Sequence, residues 1–219
     1  MTYPNAFSGV KKIFLAQILM LIVAVLTFIT ACTGVVGIQE TNSETVQVGA
    51  LAAVGGLGIV IAILSIIAFI INLVGLSQAG KDERSFKTAF ILTIIGLVLS
   101  IIDGIYTNSH PDSGGIFDLS TNVINVLVII LVINGVMALA SKLNDEKLEK
   151  KGKNLLVIIT IILIIALVLN IIGTFVGDKI GDGTAITFAV IGIVSAILFI
   201  VAYIMYLSLL SRAKKTLQK

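Results

Sequence analysis

Side chains able to do acid–base or metal chemistry are few in this sequence, and their spacing matches no catalytic arrangement. The single histidine, His110, lies beside Pro111 and Asp112 in a polar stretch between two apolar runs. A paired-histidine zinc site or an HExxH motif would need a second histidine at a fixed spacing. The sequence also lacks the Walker and Rossmann glycine patterns. We therefore expect no catalytic residue, no metal site and no cofactor, and the chain is not predicted to be an enzyme.

The one nucleophilic thiol, Cys32, raises the question of covalent lipid attachment. The residues at positions 29–32, Ile-Thr-Ala-Cys, fit the lipobox of a bacterial lipoprotein, in which an apolar residue and two small residues precede the cysteine. A secretory signal, however, has an apolar stretch of only about 7 to 15 residues. The run here covers residues 13–38 and continues past the cysteine. We predict that it stays in the protein as a membrane helix, with lipidation as the less favoured alternative.

Six apolar runs account for most of the chain. The sequence is 58% hydrophobic and 12% charged, far more apolar than an ordinary soluble domain. A helix crosses the hydrocarbon core of a bilayer in about 20 residues. The runs lack the sustained alternation of polar and apolar residues that a membrane β-barrel requires. The sequence therefore predicts an all-α transmembrane helical bundle, one integral membrane domain over residues 1–219, with spans at residues 13–38, 48–77, 88–106, 120–141, 155–176 and 184–211.

Basic residues are confined almost entirely to one side of the predicted membrane. Of the 15 lysines and arginines, 14 fall on the side that carries both termini, and only Lys179 falls on the other. By the positive-inside rule the basic side is cytoplasmic. The isoleucine and lysine bias is typical of a bacterial plasma membrane, so we predict a multi-pass protein there with both termini in the cytoplasm. Its inner face would attract anionic lipids, whereas no folded basic domain with interleaved aromatics indicates a nucleic-acid partner.

The inner segment at residues 141–153 is the most polar stretch between spans. Glu149 and Lys153 in it have the i,i+4 spacing of a helical ion pair. We therefore expect the fourth span to continue as a solvated helix into the cytoplasm, with a docking site for a partner as the less favoured alternative.

The odd-numbered spans resemble one another weakly. Residues 25–29, 98–102 and 168–172 read VLTFI, VLSII and VLNII. This similarity predicts three parallel two-helix hairpins, over residues 11–80, 81–150 and 151–219, with any symmetry axis along the membrane normal. Because runs of isoleucine, leucine and valine resemble one another by composition alone, three unrelated hairpins remain the alternative.

Uncharged polar side chains occur within the spans, but no ionisable residue lies near a span centre. Proton-coupled transport and voltage sensing therefore have little support. Thr27, Ser100 and Asn170 occupy equivalent places in the three hairpins. Together with Asn125, they could line a path for a small neutral solute. Hydrogen bonding between helices is the simpler interpretation.

Small residues spaced by four mark predicted helix-packing faces, because glycine lets helix backbones approach closely. These residues are Gly49, Ala52, Ala53, Gly56, Gly173, Gly177, Gly192 and Ala196. Since packing faces are plentiful and reactive groups are not, the leading hypothesis is an accessory, assembly or protective subunit. It would contact another membrane protein or a second copy of itself. The alternative is a facilitative channel or transporter for a small neutral or apolar solute.

Overall fold

Six long α-helices make up the part of the chain that the computed structural model describes, namely residues 3–39, 44–109, 116–176 and 182–218. Side-chain surroundings are described within these ranges except at residues 31–55, 107–119, 122, 163, 164 and 166–199. The prediction of an all-α fold is confirmed. The helices are α1 (Pro4–Gln39), α2 (Glu44–Ala79), α3 (Arg84–Ser109), α4 (Ile116–Lys142), α5 (Glu146–Val176) and α6 (Asp182–Gln218).

Four of the helices contain a segment long and apolar enough to cross a membrane, as expected for a membrane protein. The segments are Pro4–Thr30, Gly56–Ala79, Arg84–Tyr106 and Val123–Lys142, and they overlap the first four predicted spans. The fifth and sixth predicted spans fall in α5 and α6, and most side chains of these two spans lie outside the described residues. Cys32 lies inside α1, which continues without a break to Gln39, and its side chain is likewise outside the described part.

The helices are arranged in a ring. Each helix contacts its neighbours in the chain, α6 contacts α1, and α4 also touches α6. The first turns of α1, α3 and α5 and the last turns of α2, α4 and α6 share one buried apolar cluster. We call this end of the ring the basal end. Both ends of the described chain lie there, as an alternation of helix directions requires.

Part of the buried core at the basal end lies beyond the predicted spans. Leu148 precedes the fifth span and Leu217 follows the sixth, yet they are only 2% and 4% exposed. Outside hydrocarbon, apolar side chains gain by leaving water together, whereas lipid tails are as apolar as the side chains themselves. The same reasoning explains why large side chains further along the helices stay exposed, such as Ile105 at 67%.

Helices α1 and α2 approach each other closely at a point where two glycines meet. A Cβ atom added at Gly9 would lie 2.5 Å from the Ala79 amide nitrogen and 2.5 Å from the Gly75 carbonyl oxygen. One added at Gly75 would lie 2.9 Å from the Gly9 carbonyl oxygen. Backbone occupies the space that a side chain would need, so both positions require glycine.

A tight turn separates α4 from α5. The Asp145 amide donates to the Ala140 carbonyl at 2.9 Å, and the Asn144 amide donates to the Ser141 carbonyl at 3.1 Å. Asn144 has a φ of 53°, so the turn is a Schellman motif. The prediction that the fourth span continues as a helix is wrong, because this motif ends α4. The predicted helical ion pair lies instead in α5, where Glu149 and Lys153 are 2.7 Å apart.

Candidate functional site

The predicted polar lining is dispersed over helix surfaces in the described part of the chain. The Thr27 hydroxyl donates to the Val23 carbonyl at 2.9 Å, and the Ser100 hydroxyl donates to the Gly96 carbonyl at 2.9 Å. Each hydroxyl is therefore satisfied within its own helix, which lipid requires. Thr27 lies on α1 and Ser100 on α3, and these two helices make no contact among the described residues.

The described residues include the side chain of only one further member of that lining. Asn125 is exposed on α4, and the side chain of Asn170 lies outside the described residues. A solute path through these four residues stays a prediction.

Among the predicted packing residues, Gly56 is the one whose surroundings the structure describes. Apart from the adjacent turns of α2 itself, no described atom lies within 4 Å of the position that a Cβ at Gly56 would take, and the same holds for Gly58. The residue therefore makes no packing contact with the described part of its own bundle. The surroundings of the others lie outside the described residues: Gly49, Ala52, Ala53, Gly173, Gly192 and Ala196, together with Gly177, which is outside altogether.

Gly56 is the first residue, in sequence order, of an exposed apolar stripe on α2. The stripe continues through residues that follow one another by alternating steps of four and three, each between 41% and 53% exposed: Val60, Ile63, Ile67, Ile70 and Val74. This is the heptad spacing of a helix that packs along another helix. Upstream in the sequence, Ala53 and Gly49 continue the same spacing. We call Gly56 and the five β-branched residues the α2 stripe.

The α2 stripe faces away from the contacts that α2 makes within the chain. Ala68 and Ala79 on α2 are both fully buried. At about 100° per residue, they lie about 120 to 140° around the helix from Gly56. One side of α2 is therefore filled by its own chain and the other is not filled by any described residue.

A carboxylate from the α2–α3 turn caps the start of α1. The Ala6 amide donates to Asp82 Oδ2 at 2.7 Å, and Asn5 Nδ2 donates to Asp82 Oδ1 at 3.0 Å. The first turn of α1 contains no acidic residue of its own. Asp82 thus supplies the negative charge that the positive end of a helix dipole favours.

A second carboxylate, Asp145, caps α5 and ties it to α6. The Leu148 amide donates to Asp145 Oδ1 at 3.0 Å, and the Thr216 hydroxyl donates to Oδ2 at 2.9 Å. Partial burial of Asp145 favours its neutral form, but these hydrogen bonds and the nearby Arg212 charge outweigh it. The pKa of Asp145 is therefore lowered from its ordinary value of 3.8.

This lowered pKa predicts a specific loss of stability in acid. A carboxyl group whose pKa is lower in the folded state stabilises the fold above its unfolded pKa, and this stabilisation is lost as the pH falls through the folded value. We expect the stability difference between the wild type and Asp145→Asn to stay constant from pH 7 to pH 5. It should decrease once the pH is below 3.8, because asparagine keeps the helix cap but does not titrate. Thermal unfolding of both proteins in detergent across this pH range measures the difference, and a difference that grows in acid would contradict the assignment.

A small apolar cavity lies between α4, α5 and α6. Its volume is about 70 Å³, and it is lined by Val126, Ile129, Ile159, Ile162, Ala202, Tyr203 and Tyr206. The Tyr203 hydroxyl donates to the Gln17 carbonyl on α1 at 2.7 Å. The cavity could hold only a small apolar group, and its lining supplies no acid–base pair beyond the two phenols. Within the described residues, no group of three histidine, cysteine or acidic side chains could hold a metal ion.

The polar contacts and the glycines of the basal end were not predicted from the sequence. Gly75 and Ala79 have the same four-residue spacing as the predicted faces, and Gly9 lies before the first predicted span. The spacing was a usable signal for Gly75. No local signal could pair Asp82 with Ala6, since 76 residues separate them.

Known proteins add no constraint on function. No protein-family model, no curated protein and no solved structure matches the chain with significant similarity. Function is therefore inferred from the chain's own residues.

Proposed function

We propose that this chain is a non-enzymatic accessory, assembly or protective subunit that binds a helix of another membrane protein along the α2 stripe. The observation that carries the proposal is the exposed α2 stripe, at whose first residue, Gly56, an added Cβ would meet no described atom within 4 Å apart from α2 itself. Its other members are valine and isoleucine, whose β-branched side chains have little χ1 freedom to lose on packing.

The chemistry of helix association in lipid supports a partner at this stripe. Two helices in a bilayer gain little from burying apolar surface, so association depends on close packing, which small residues permit. The chain uses this device internally where Gly9 meets Gly75 on α2. Gly56 is a second small residue on the same helix, it faces away from the contacts that α2 makes within the described chain, and it suits a helix from a different chain.

The proposal includes a topology of six spans with both termini in the cytoplasm of a bacterial plasma membrane. It is supported by the basic residues near the basal end and by the positions of both chain ends there. The three-hairpin repeat is retained as part of this proposal, and the ring order of the helices is compatible with it. Reporter enzymes fused to the two termini test the orientation.

Gly56→Ile is expected to remove the partner while leaving the fold intact. In the chain alone, the added side chain would meet no described residue outside α2. In a complex, it would hold an approaching helix away from the α2 stripe. With a photocrosslinking residue at Val60, we expect a foreign membrane protein to be captured in native membranes. Its yield should fall on the order of tenfold in Gly56→Ile, the effect of about 1.4 kcal/mol of lost association energy.

Two matched controls separate this effect from general damage. Gly58→Ile and Gly104→Ile make the same change at glycines that are equally open but lie off the stripe. Both should keep the wild-type yield, and all three variants should keep the wild-type unfolding midpoint in detergent. Equal yields from all variants, or capture of lipid only, would contradict a partner at the α2 stripe.

The alternative function is a facilitative channel or transporter for a small neutral or apolar solute. The apolar cavity between α4, α5 and α6 is the observation that favours it. Capture of no foreign protein at Val60, together with solute flux through liposomes containing the purified chain alone, would replace the accessory role with this one.

A further inference from the structure

A polar groove lies at the basal end between the first turns of α5 and the last turns of α6. Its volume is about 560 Å³. Its lining supplies three cations, Lys151, Arg212 and Lys215, and three hydroxyls, Ser208, Ser211 and Thr216. Asp145 is the one carboxylate in the lining, so the formal net charge of the groove is +2.

The sequence of α6 places most of these groups on a single helix face. Ser208, Ser211, Arg212 and Lys215 follow the i, i+3, i+4, i+7 spacing, which brings residues to one side of a helix. From α5, Lys151 Nζ lies 3.4 Å from the Ser208 hydroxyl oxygen. The two helices therefore present cations from both sides of the groove.

The carboxylate of Asp145 is already engaged by the protein. Its two oxygens accept hydrogen bonds from the Leu148 amide and the Thr216 hydroxyl. It therefore positions the helix ends that form the groove. Although Arg212 also attracts this carboxylate, the groove keeps a formal net charge of +2 for a ligand. A guanidinium, two ammonium groups and hydroxyls suit the oxygens of a phosphate group.

The position of the groove along the membrane normal indicates where such a phosphate would come from. Ser208 and Ser211 are at the end of the sixth predicted span, and Lys151 lies four residues before the fifth. The groups therefore sit where apolar helix gives way to polar helix, which is the headgroup level of a bilayer. Basic pockets between helices on the cytoplasmic side of a membrane are suited to anionic headgroups.

We propose that this groove, which we call the α5–α6 groove, binds the phosphate of one anionic glycerophospholipid. The lipid would be held by Lys151, Arg212 and Lys215, with its acyl chains along the apolar surface of the helices. The proposal requires the basal end to lie at a membrane surface and does not depend on a partner at the α2 stripe. A variant that loses lipid binding at the α5–α6 groove therefore says nothing against partner binding at the α2 stripe, and the reverse also holds.

The test measures lipid retained by the purified chain. The full-length protein is reconstituted with equal amounts of phosphatidylglycerol and phosphatidylcholine, extracted gently and examined by native mass spectrometry. We expect one retained phosphatidylglycerol, and about thirty-fold weaker retention in Lys151→Gln/Arg212→Gln. Each cation near an anionic lipid contributes about a factor of five.

A matched control removes two other cations from the basal end. Lys81 and Lys87 are exposed near the α2–α3 turn, away from the groove. Lys81→Gln/Lys87→Gln lowers the net charge equally and should retain phosphatidylglycerol like the wild type. Equal loss in the two double variants would overturn the proposal in favour of diffuse charge attraction.

Inorganic phosphate and glycerol 3-phosphate distinguish a lipid from a soluble anion. If the groove holds a lipid, millimolar amounts of either should leave phosphatidylglycerol retention unchanged. If either ion binds the delipidated chain while no phosphatidylglycerol is retained, the groove is a soluble-phosphate site and the lipid proposal is overturned.

Discussion

Phe86→Ala is expected to lower the free energy of unfolding by about 3 to 5 kcal/mol, the range for removing a buried aromatic ring. Phe86 is fully buried at the start of α3, and its ring lies against Gly135 of α4. Removing the ring leaves a cavity where α3 and α4 meet at the basal end. Unfolding of the detergent-solubilised protein by added SDS measures the change. Phe28→Ala is the control: that ring is 70% exposed, so its removal should cost much less.

The contact between Phe86 and Gly135 can be isolated with a double-mutant cycle. A Cβ at Gly135 would lie 2.6 Å from a carbon of the Phe86 ring, so Gly135→Ala alone should destabilise by about 1 to 3 kcal/mol. In a Phe86→Leu background the added methyl has more room, and its cost should fall. If the two changes were strictly additive, the ring would not be seated on Gly135.

Gly9→Ala is the second large effect, even though it adds one methyl group. The methyl would meet the backbone of α2 at the Gly75 oxygen and the Ala79 nitrogen, and backbone cannot move aside as a side-chain tip can. We expect a loss of about 3 kcal/mol, the upper end of the range for overpacking. This corresponds to roughly 6 to 12 °C in the unfolding midpoint for a chain of this size. A thermal scan of the protein in detergent measures it.

Gly56→Ala provides the matched comparison for Gly9→Ala. Both replace a helical glycine by alanine, which in a helix interior stabilises by about 0.5 to 1 kcal/mol when nothing is obstructed. Gly56 meets nothing within 4 Å among the described residues, so its variant should be as stable as the wild type or slightly more so. If both variants behaved alike, the close approach of α1 and α2 at Gly9 would be wrong.

The apolar runs predicted the helices well because lipid permits little else. A chain inside hydrocarbon must satisfy every backbone amide and carbonyl internally, so an apolar run of sufficient length becomes a helix. The helix starts at the basal end were harder to predict, since water also satisfies the backbone there. For α1, Pro4 at the first helical position and the spacing of Ala6, Val10 and Ile13 were the available signals.

The candidate site was predicted only in part, and the reason is geometric. Four-residue spacing of small residues identifies a face that can accept a helix, but it contains no information about which helix lies opposite. Gly75 and Gly56 are on the same helix, and yet α1 occupies the face of Gly75 while the described chain leaves that of Gly56 open. The α5–α6 groove depends on contacts between the start of α5 and the end of α6, such as that of Asp145 with Thr216, and the spacing on α6 alone could not locate Lys151.

The cap that Asp82 provides for α1 has a consequence for the order of events during synthesis. The Ala6 amide is made 76 residues before the carboxylate that accepts its hydrogen bond. At about 5 to 20 residues per second, the ribosome needs about 4 to 15 s to add the residues between them. During that interval the first turn of α1 depends on water for its amide partners. The hydrogen bond from the Ala6 amide to Asp82 can therefore form only when the ribosome is already starting α3, which begins at Arg84.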